Sequence, residues 1–339
     1  MVDDRTGWAI AGTGNIARRF AEDLRHSKKG HVVAVASADT ERGRRFAAAI
    51  GPQVAHGDLD NILARADVQA VYVAGRNELH CEHAMRSIAA GKPVLVEKPF
   101  ATSAAEAERI TDAARGAGIL AMEAMWMRFI PAIRALRTRV EKGEIGAIRR
   151  VEAGISFINP KPLAPVIADL GVYPLSLAVN LLGTPESVSA SATADGRQVA
   201  ITLRYENALA ILNCGFDAEG GNSATVVGTK GVLSTDAPLF APSALTLRPT
   251  KAIHAPMTEG NLAPHPRLPW RDAARSLVRP LRVAVRPLLY RGNGLHYEAD
   301  HFTDCLRAGL RESPLMPLTE SVEVMRIVER VESLVSHRS

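Results

Sequence analysis

Three cysteines in 339 residues are too few and too scattered to build much. Cys81, Cys214 and Cys305 are odd in number and far apart, so they outline neither a disulfide framework nor a metal-ligand cluster. They read as small buried apolar residues. Long apolar runs are missing as well: none approaches the ~18 residues that a membrane span requires. The opening MVDDRTGWAI holds two early acids and no long apolar stretch before a cleavage site, so it does not read as a signal peptide. There is no internal repeat and no low-complexity tract. These absences lead us to expect a cytoplasmic protein in a reducing compartment. The chain is 47% hydrophobic, enough to bury the cores of two domains.

A broadly basic surface is also lacking. The net charge is +5, but the window from Arg267 to Arg291 alone holds seven arginines against one acid, Asp272. The remainder of the chain therefore sums to slightly below zero. Nucleic-acid binding needs a wider basic footprint, so a small-molecule substrate is expected and a nucleic-acid partner is not. Arg271, Arg275, Arg279, Arg282 and Arg286 step at helical spacing, within an arc of about 80° on an ideal helix. That pattern suits a basic amphipathic helix on an anionic membrane surface. Pro280 and Pro287 interrupt any single helix there. A folded lid or interface insertion and a disordered loop therefore stand beside the membrane contact as readings of the segment.

What is present is an alternation. Short apolar runs occur at 8–12, 32–37, 70–75, 93–97 and 119–123, with helix-like stretches at 15–26, 40–50, 58–65, 78–90 and 103–116. Ser103 and Glu106 form a candidate capping box for the last stretch. Strand and helix in strict alternation predict βαβ units and a parallel sheet covered on both faces. Beyond residue 125 a helix over 128–146 gives way to strand-like runs near 148–157, 186–193, 198–204, 207–216, 222–228, 231–235 and 244–248. Helices over 295–308 and 319–336 close the chain. The expected fold class is α/β: a doubly wound parallel sheet over 1–125, then an α+β domain over 126–339 with a large, open, mostly antiparallel sheet. A basic insertion is expected at about 251–292.

IAGTGNIARRF, residues 10–20, places Gly12, Gly14 and Ala17 between the first strand and the first helix. Gly12 permits the tight turn, Gly14 lets the backbone approach a pyrophosphate, and Ala17 lets helix pack on strand. Thr13, Asn15 and Ile16 complete a loop whose N–H groups face the phosphates. Ser37 stands at the tip of the second strand, where an NAD site usually has an acid for the ribose. A small hydroxyl there, with Arg42 or Arg44 in reach, favours NADP. Asp39 is either a rival acidic partner for the ribose or the cap of the next helix. In PVLVEKP, residues 93–99, a buried strand ends in Glu97, Lys98 and Pro99. Ligands of doubly wound sheets bind beyond the carboxyl ends of the strands, so Lys98 would face the reactive end of the cofactor. The plainer reading is a surface Lys–Glu pair worth little to stability.

GKPVLVEKPF together with MEAMWMRFIPAIRALR (122–137) and ADLGVYPLSLAVNLLG (168–183) resembles the glucose–fructose oxidoreductase / inositol dehydrogenase (Gfo/Idh/MocA) family, most of all its dihydrodiol and NADP-linked sugar dehydrogenase branch. GNGLHYEADHFTDCLRAG and ESPLMPLTESVEVMR, near the end, share the resemblance. It implies a Rossmann domain, NADP or NAD as cofactor, and a second sheet that often forms an oligomer interface, hence a homodimer or homotetramer. It implies that Glu97 and Lys98 form the cofactor and catalytic motif, that Tyr173 donates or accepts the proton, and that Asp169 positions the substrate. Residues four apart on a helical turn share a face, and a phenol beside an ammonium is expected to have its pKa lowered.

The chain departs from the family in AGRNELH, residues 74–80, where Gly75 and Arg76 replace Thr-Pro while Asn77 and His80 keep their places. Arg76 would meet a cofactor phosphate or an anionic substrate, and His80 is either a cofactor contact or a helix-start residue. The loop 159–171 has no glycine before Gly171, which leaves the substrate class open. The expected function is NAD(P)-dependent interconversion of a secondary alcohol and a carbonyl on a sugar, polyol or cyclic diol. A non-catalytic cofactor-binding sensor or scaffold, and a peripheral membrane oxidoreductase for an anionic or lipid-linked substrate, stand as alternatives.

Overall fold

A computed structural model describes residues 4–250 and 284–336. The first sheet is built from β1 (Thr6–Ala11), β2 (Gly30–Ala36), β3 (Ala55–Gly57), β4 (Ala70–Val73), β5 (Val94–Glu97) and β6 (Ala121–Ala124), all parallel, in the order β3-β2-β1-β4-β5-β6. The order reverses between β1 and β4, which opens a crevice at their carboxyl ends. Helices α1 (Asn15–Asp23), α2 (Thr40–Ile50), α3 (Leu59–Leu63), α4 (His80–Ala89) and α5 (Ala104–Ala117) connect the strands. β1, β4, β5 and β6 are buried along their whole length, as a sheet covered on both faces requires. The alternation in the sequence anticipates all of these except β3, whose three residues carry no apolar run.

α6 (Pro131–Glu141) leads into the second sheet, which has eight strands: β7 (Ile148–Ser156), β8 (Ser187–Ala192), β9 (Gln198–Arg204), β10 (Leu209–Gly215), β11 (Ala224–Gly228), β12 (Gly231–Thr235), β13 (Ala244–Pro249) and β14 (Ala284–Pro287). Only β10 with β7 pairs parallel; the other pairs are antiparallel. α7 (Val172–Leu182) and α9 (Leu318–Ser336) pack against this sheet. Along β9 and β10, burial alternates residue by residue, so one face meets the helices and the other carries partly exposed Leu209 and Ile211. Most of the arginine-rich stretch lies outside the described residues. Its end does not continue a helix: β14 holds Arg286 opposite Leu245 in an edge strand, because Pro280 and Pro287 exclude an uninterrupted helix through this point. No helix among the described residues is long and apolar enough to cross a membrane.

α8 (Leu295–Arg307) returns to the first sheet and ties the two halves together. Its Phe302 packs on Trp8 at 5.2 Å, and Phe20 stacks on Tyr72 at 3.8 Å. Asp23, at the end of α1, is 1% exposed and caps this helix from a distance. It accepts hydrogen bonds from the backbone N–H of Asn293 at 2.9 Å and of Leu295 at 2.8 Å. Ser27 donates to Asp300 at 2.5 Å and Lys29 pairs with Asp304 at 2.6 Å. Asp23→Ala strands the buried N–H of Leu295 and the partly buried N–H of Asn293, and a buried donor left unpaired costs about 1–3 kcal/mol. We expect a loss of about 3 kcal/mol and a melting temperature lower by about 6 °C, read by thermal denaturation, with Asp23→Asn losing less because it keeps one acceptor.

Candidate active site

The glycine loop is shaped by backbone contact. Gly12 has φ +135°, and a Cβ there would lie 2.4 Å from the carbonyl oxygen of Ala74. Only glycine fits that conformation and approach. Gly14 caps α1, and a Cβ on it would meet nothing within 4 Å. The space it would enter is where a pyrophosphate approaches the loop, so the cradle fits a dinucleotide. Ala17 is fully buried against β1, while Thr13 and Ile16 are half-buried and Asn15 is exposed at the loop.

At the tip of β2, Ser37 is half-buried and accepts from the Asp39 N–H at 3.3 Å. Asp39 caps α2, accepting from the Arg42 N–H at 2.9 Å, so the capping role is the one the fold uses. Arg44 is held by Glu41 at 2.7 Å. Arg42 instead lines a groove of about 580 Å³ with Thr13, Arg18, Arg25, Arg45 and Phe46. Of the two arginines weighed for a ribose phosphate, Arg42 is the one that shares a cavity with the glycine loop.

Beyond β4, Gly75 is half-buried, and Arg76 is exposed with its guanidinium 3.2 Å from Glu78. Asn77 opens a short 3-10 turn. His80 begins α4, and its ring is only 1% exposed, with Nδ1 2.8 Å from the Pro99 carbonyl oxygen. There the ring packs against the turn that carries Lys98. Burial also lowers its pKa, so it stays neutral. Glu97 is 3% exposed, accepts a hydrogen bond from the Tyr72 hydroxyl, and accepts from the Lys98 N–H at 3.0 Å. Its side chain supports the turn from within.

Lys98 reaches across to the second sheet's helices. Its Nζ lies 2.8 Å from Asp169 Oδ1 and 2.9 Å from the Asp169 carbonyl oxygen, and 5.2 Å from the centre of the Tyr173 ring. Asp169 sits in a π-helical turn (Ile167–Gly171) that runs directly into α7, so one continuous helical segment presents both Asp169 and Tyr173 to the lysine. Gly171 lets the Ile167 side chain and Cys214 pack closely on the turn: a Cβ there would be 2.4 Å from the end of the Ile167 side chain and 3.3 Å from Cys214 Sγ. Burial opposes the charge on Lys98, but Tyr173 and Asp169 outweigh it and hold the ammonium above its ordinary range. Tyr173 moves the other way from expectation. Burial pushes its phenol up and Lys98 recovers only part of that, so the pKa is raised rather than lowered.

Sequence reasoning missed the aromatic surround. Trp126 Nε1 donates to the Tyr173 hydroxyl at 3.1 Å. Phe240 packs on Trp126 at 5.3 Å, on Phe157 at 5.7 Å and on Tyr173 at 5.8 Å. Trp126 lies inside a motif already singled out, but Phe240 arrives on the loop between β12 and β13 with no local signal. Arg128 was missed too. It is 4% exposed and donates to the Ser176 hydroxyl and carbonyl, both at 2.8 Å, fixing α7 relative to the turn that carries Trp126. The glycine-poor loop 159–166 leaves Leu163 exposed and does not disturb the Lys98–Asp169 contact. The three cysteines are buried and free, and no metal-binding cluster occurs among the described residues.

Both halves of the chain match known proteins. Residues 6–124 match a family model described as an oxidoreductase family with NAD-binding Rossmann fold, and residues 133–234 match the GFO/IDH/MocA C-terminal domain. A trans-1,2-dihydrobenzene-1,2-diol dehydrogenase of Macaca fascicularis is 31% identical, over 96% of this chain and 95% of its own. Among solved structures, a 3-ketoreductase from Actinomadura kijaniata, in complex with TDP-benzene and NADP, is 25% identical with a TM-score of 0.76, covering 98% of both chains. An aldose-aldose oxidoreductase from Caulobacter crescentus shares the fold, at 22% identity and a TM-score of 0.79, over 99% of this chain and 98% of that one. With both halves matched and a relative aligned nearly end to end, the chain belongs to the GFO/IDH/MocA family of oxidoreductases.

Proposed function

We propose that this oxidoreductase is an NADP-dependent dehydrogenase that interconverts a secondary alcohol and a carbonyl on a cyclic diol. The observation that carries the reading is the convergence of Lys98, Asp169 and Tyr173 at the carboxyl end of β5, under a wall of Trp126, Phe157 and Phe240. A wall of aromatic faces suits a cyclic substrate that stacks on it. The relatives named as trans-1,2-dihydrobenzene-1,2-diol dehydrogenases support the same choice.

Gly12, Thr13, Gly14, Asn15 and Ile16 would hold the pyrophosphate, and Ser37 and Arg42 the ribose 2′-phosphate. Gly75, Arg76 and Asn77 would form the opposite rim. When bound, the nicotinamide supplies the hydride acceptor or donor. The protein does the rest. Lys98 holds the substrate oxygen and stabilises the charge that develops on it. Tyr173 takes up or returns the hydroxyl proton. Asp169 orients Lys98 and the substrate, and the aromatic wall excludes water. The exposed face of the eight-stranded sheet would pair two copies into a dimer.

The test is fluorescence titration with NADPH and NADH, followed by NADP-dependent oxidation of trans-1,2-dihydrobenzene-1,2-diol. Tight NADPH binding with turnover supports the reading. NADPH binding with no turnover on this or related diols and sugars returns the chain to a sensor or scaffold role. Arg42→Ala should weaken NADPH binding about tenfold, the worth of one charge-assisted hydrogen bond, and leave NADH binding unchanged. Equal loss for both cofactors would place Arg42 away from the 2′-phosphate.

A further inference from the structure

The helical segment that carries Asp169 and Tyr173 is gripped by residues that follow β5 and β6. β6 pairs with β5 so that Ala124 lies opposite Glu97. That register brings the 3-10 turn Trp126–Phe129 out of the sheet next to the Lys98 turn. Lys98 holds Asp169, Trp126 holds the Tyr173 hydroxyl, and Arg128 holds Ser176. The three held residues step by four and then by three, the spacing of one helix face. The proposed chemistry uses the first two contacts and leaves the third without a role.

Arg128 is buried, and all three nitrogens of its guanidinium are engaged. Nε donates to Ser176 Oγ and Nη2 to the Ser176 carbonyl, each at 2.8 Å. Nη1 donates to Glu320 on α9 at 2.5 Å and to the Leu315 carbonyl at 3.3 Å. A buried ion pair is a weak source of stability, and apolar residues of the same volume often serve as well. What the guanidinium adds is geometry: a planar fork fixes its partner in direction as well as distance. Here both prongs fall on one residue, Ser176, a single helical turn beyond Tyr173. Anchoring that residue fixes where α7 points the phenol.

We propose that Arg128 is a positioning residue for Tyr173: its fork on Ser176 sets the rotation and height of α7, and so the reach of the phenol toward Lys98 and the substrate oxygen. The inference rests on the reading of Tyr173 as the residue that moves the proton. Arg128 itself does not touch the phenol. The groups that face the phenol are Lys98, Glu97 and Asp169, with Trp126 as its bonded donor and Tyr72 behind Glu97. Lys98, 5.2 Å from the ring centre, and the Trp126 bond favour the phenolate. A helix released from Arg128 would carry the phenol away from the ammonium, and the phenolate would lose that support. A displacement of about 1 Å at a reacting group is enough to cost about 10²-fold in rate.

The experiment compares wild type with Arg128→Lys, Ser176→Ala and Glu320→Gln. Arg128→Lys keeps a cation for Glu320 but has no fork for Ser176. Ser176→Ala removes one of the two bonds and spares the ion pair. Glu320→Gln weakens the ion pair and spares both Ser176 bonds, so it reports stability alone. With NADP and trans-1,2-dihydrobenzene-1,2-diol, kcat should fall about 10–100-fold in Arg128→Lys and about threefold in Ser176→Ala, with KM and NADPH affinity within about threefold. Glu320→Gln should melt lower and keep the wild-type kcat. A second readout needs no turnover: fluorine NMR of protein carrying 3-fluorotyrosine, with the Tyr173 signal identified by its loss in Tyr173→Phe. That phenol should titrate at higher pH in Arg128→Lys and Ser176→Ala and at the wild-type pH in Glu320→Gln. A wild-type titration in Arg128→Lys overturns the inference, as it does in Ser176→Ala where Arg128→Lys does not fold. An equal shift in Glu320→Gln overturns it too, since general loosening would then explain the effect. If wild type turns over no diol, the proton role of Tyr173 fails, while the fluorine titration still decides whether Arg128 positions the phenol.

Discussion

Replacing Lys98 with methionine should lower kcat for diol oxidation by about 10³ while leaving the affinity for NADPH within about threefold. The lysine stabilises charge on the substrate oxygen, and removing one such preorganised donor costs about 10²–10³, more when the donor carries a full charge. Methionine keeps the length and the packing of the aliphatic stem, so the substitution removes charge and little else. The fold should survive it. Asp169, the partner left behind, has a side chain 34% exposed and can rehydrate, unlike an acid sealed in a core. The melting temperature should therefore move by no more than about 2 °C. Steady-state kinetics with NADPH titration separates the two effects. A variant with weakened NADPH binding and intact kcat would assign Lys98 to the cofactor rather than to the reaction.

The Lys98 prediction draws on the part of the molecule most legible in the sequence. Charged residues at the tip of a wholly apolar strand announce themselves, because only a functional crevice gives them reason to stand there. Gly12 is legible for the same reason: local backbone geometry demands it. What stayed hidden is what depends on distant chain segments meeting. β3 is too short to show a pattern. Asp23 looks like an ordinary helix-end acid until α8 arrives with two N–H groups to cap. Phe240 carries no local signal at all, since what matters is which wall of the site its loop happens to cover. The direction of the Tyr173 shift was misjudged because a sequence shows the neighbouring ammonium but not the Phe240, Trp126 and backbone that close off water. Of the arginine-rich run only the end is described, and there Arg286 lies in a strand at the sheet edge.

Tyr173→Phe should reduce kcat by about 10²–10⁴, the range for losing a positioned general acid–base, and should also change the shape of the pH profile. In wild type, burial holds the phenol above its ordinary value and Lys98 draws it only part of the way back. Alcohol oxidation needs Tyr173 as a base, so its rate should climb with pH through the alkaline range without a plateau near neutrality. Carbonyl reduction needs the protonated phenol and should be flat across neutral pH. The phenylalanine variant has no group to titrate there, so its residual oxidation should lose the alkaline climb. Stability changes too: Trp126 Nε1 loses the Tyr173 hydroxyl as its acceptor in a buried setting, which costs about 1–3 kcal/mol. The kinetic effect is read well below the melting range, so this loss does not mimic it. Lys98→Met supplies the cross-check. Without the ammonium, the phenol of Tyr173 rises further, and the alkaline climb of the residual oxidation should shift to higher pH. A shift to lower pH, or a phenylalanine variant that keeps the wild-type profile, would remove Tyr173 from the proton path and leave the aromatic wall as its whole contribution.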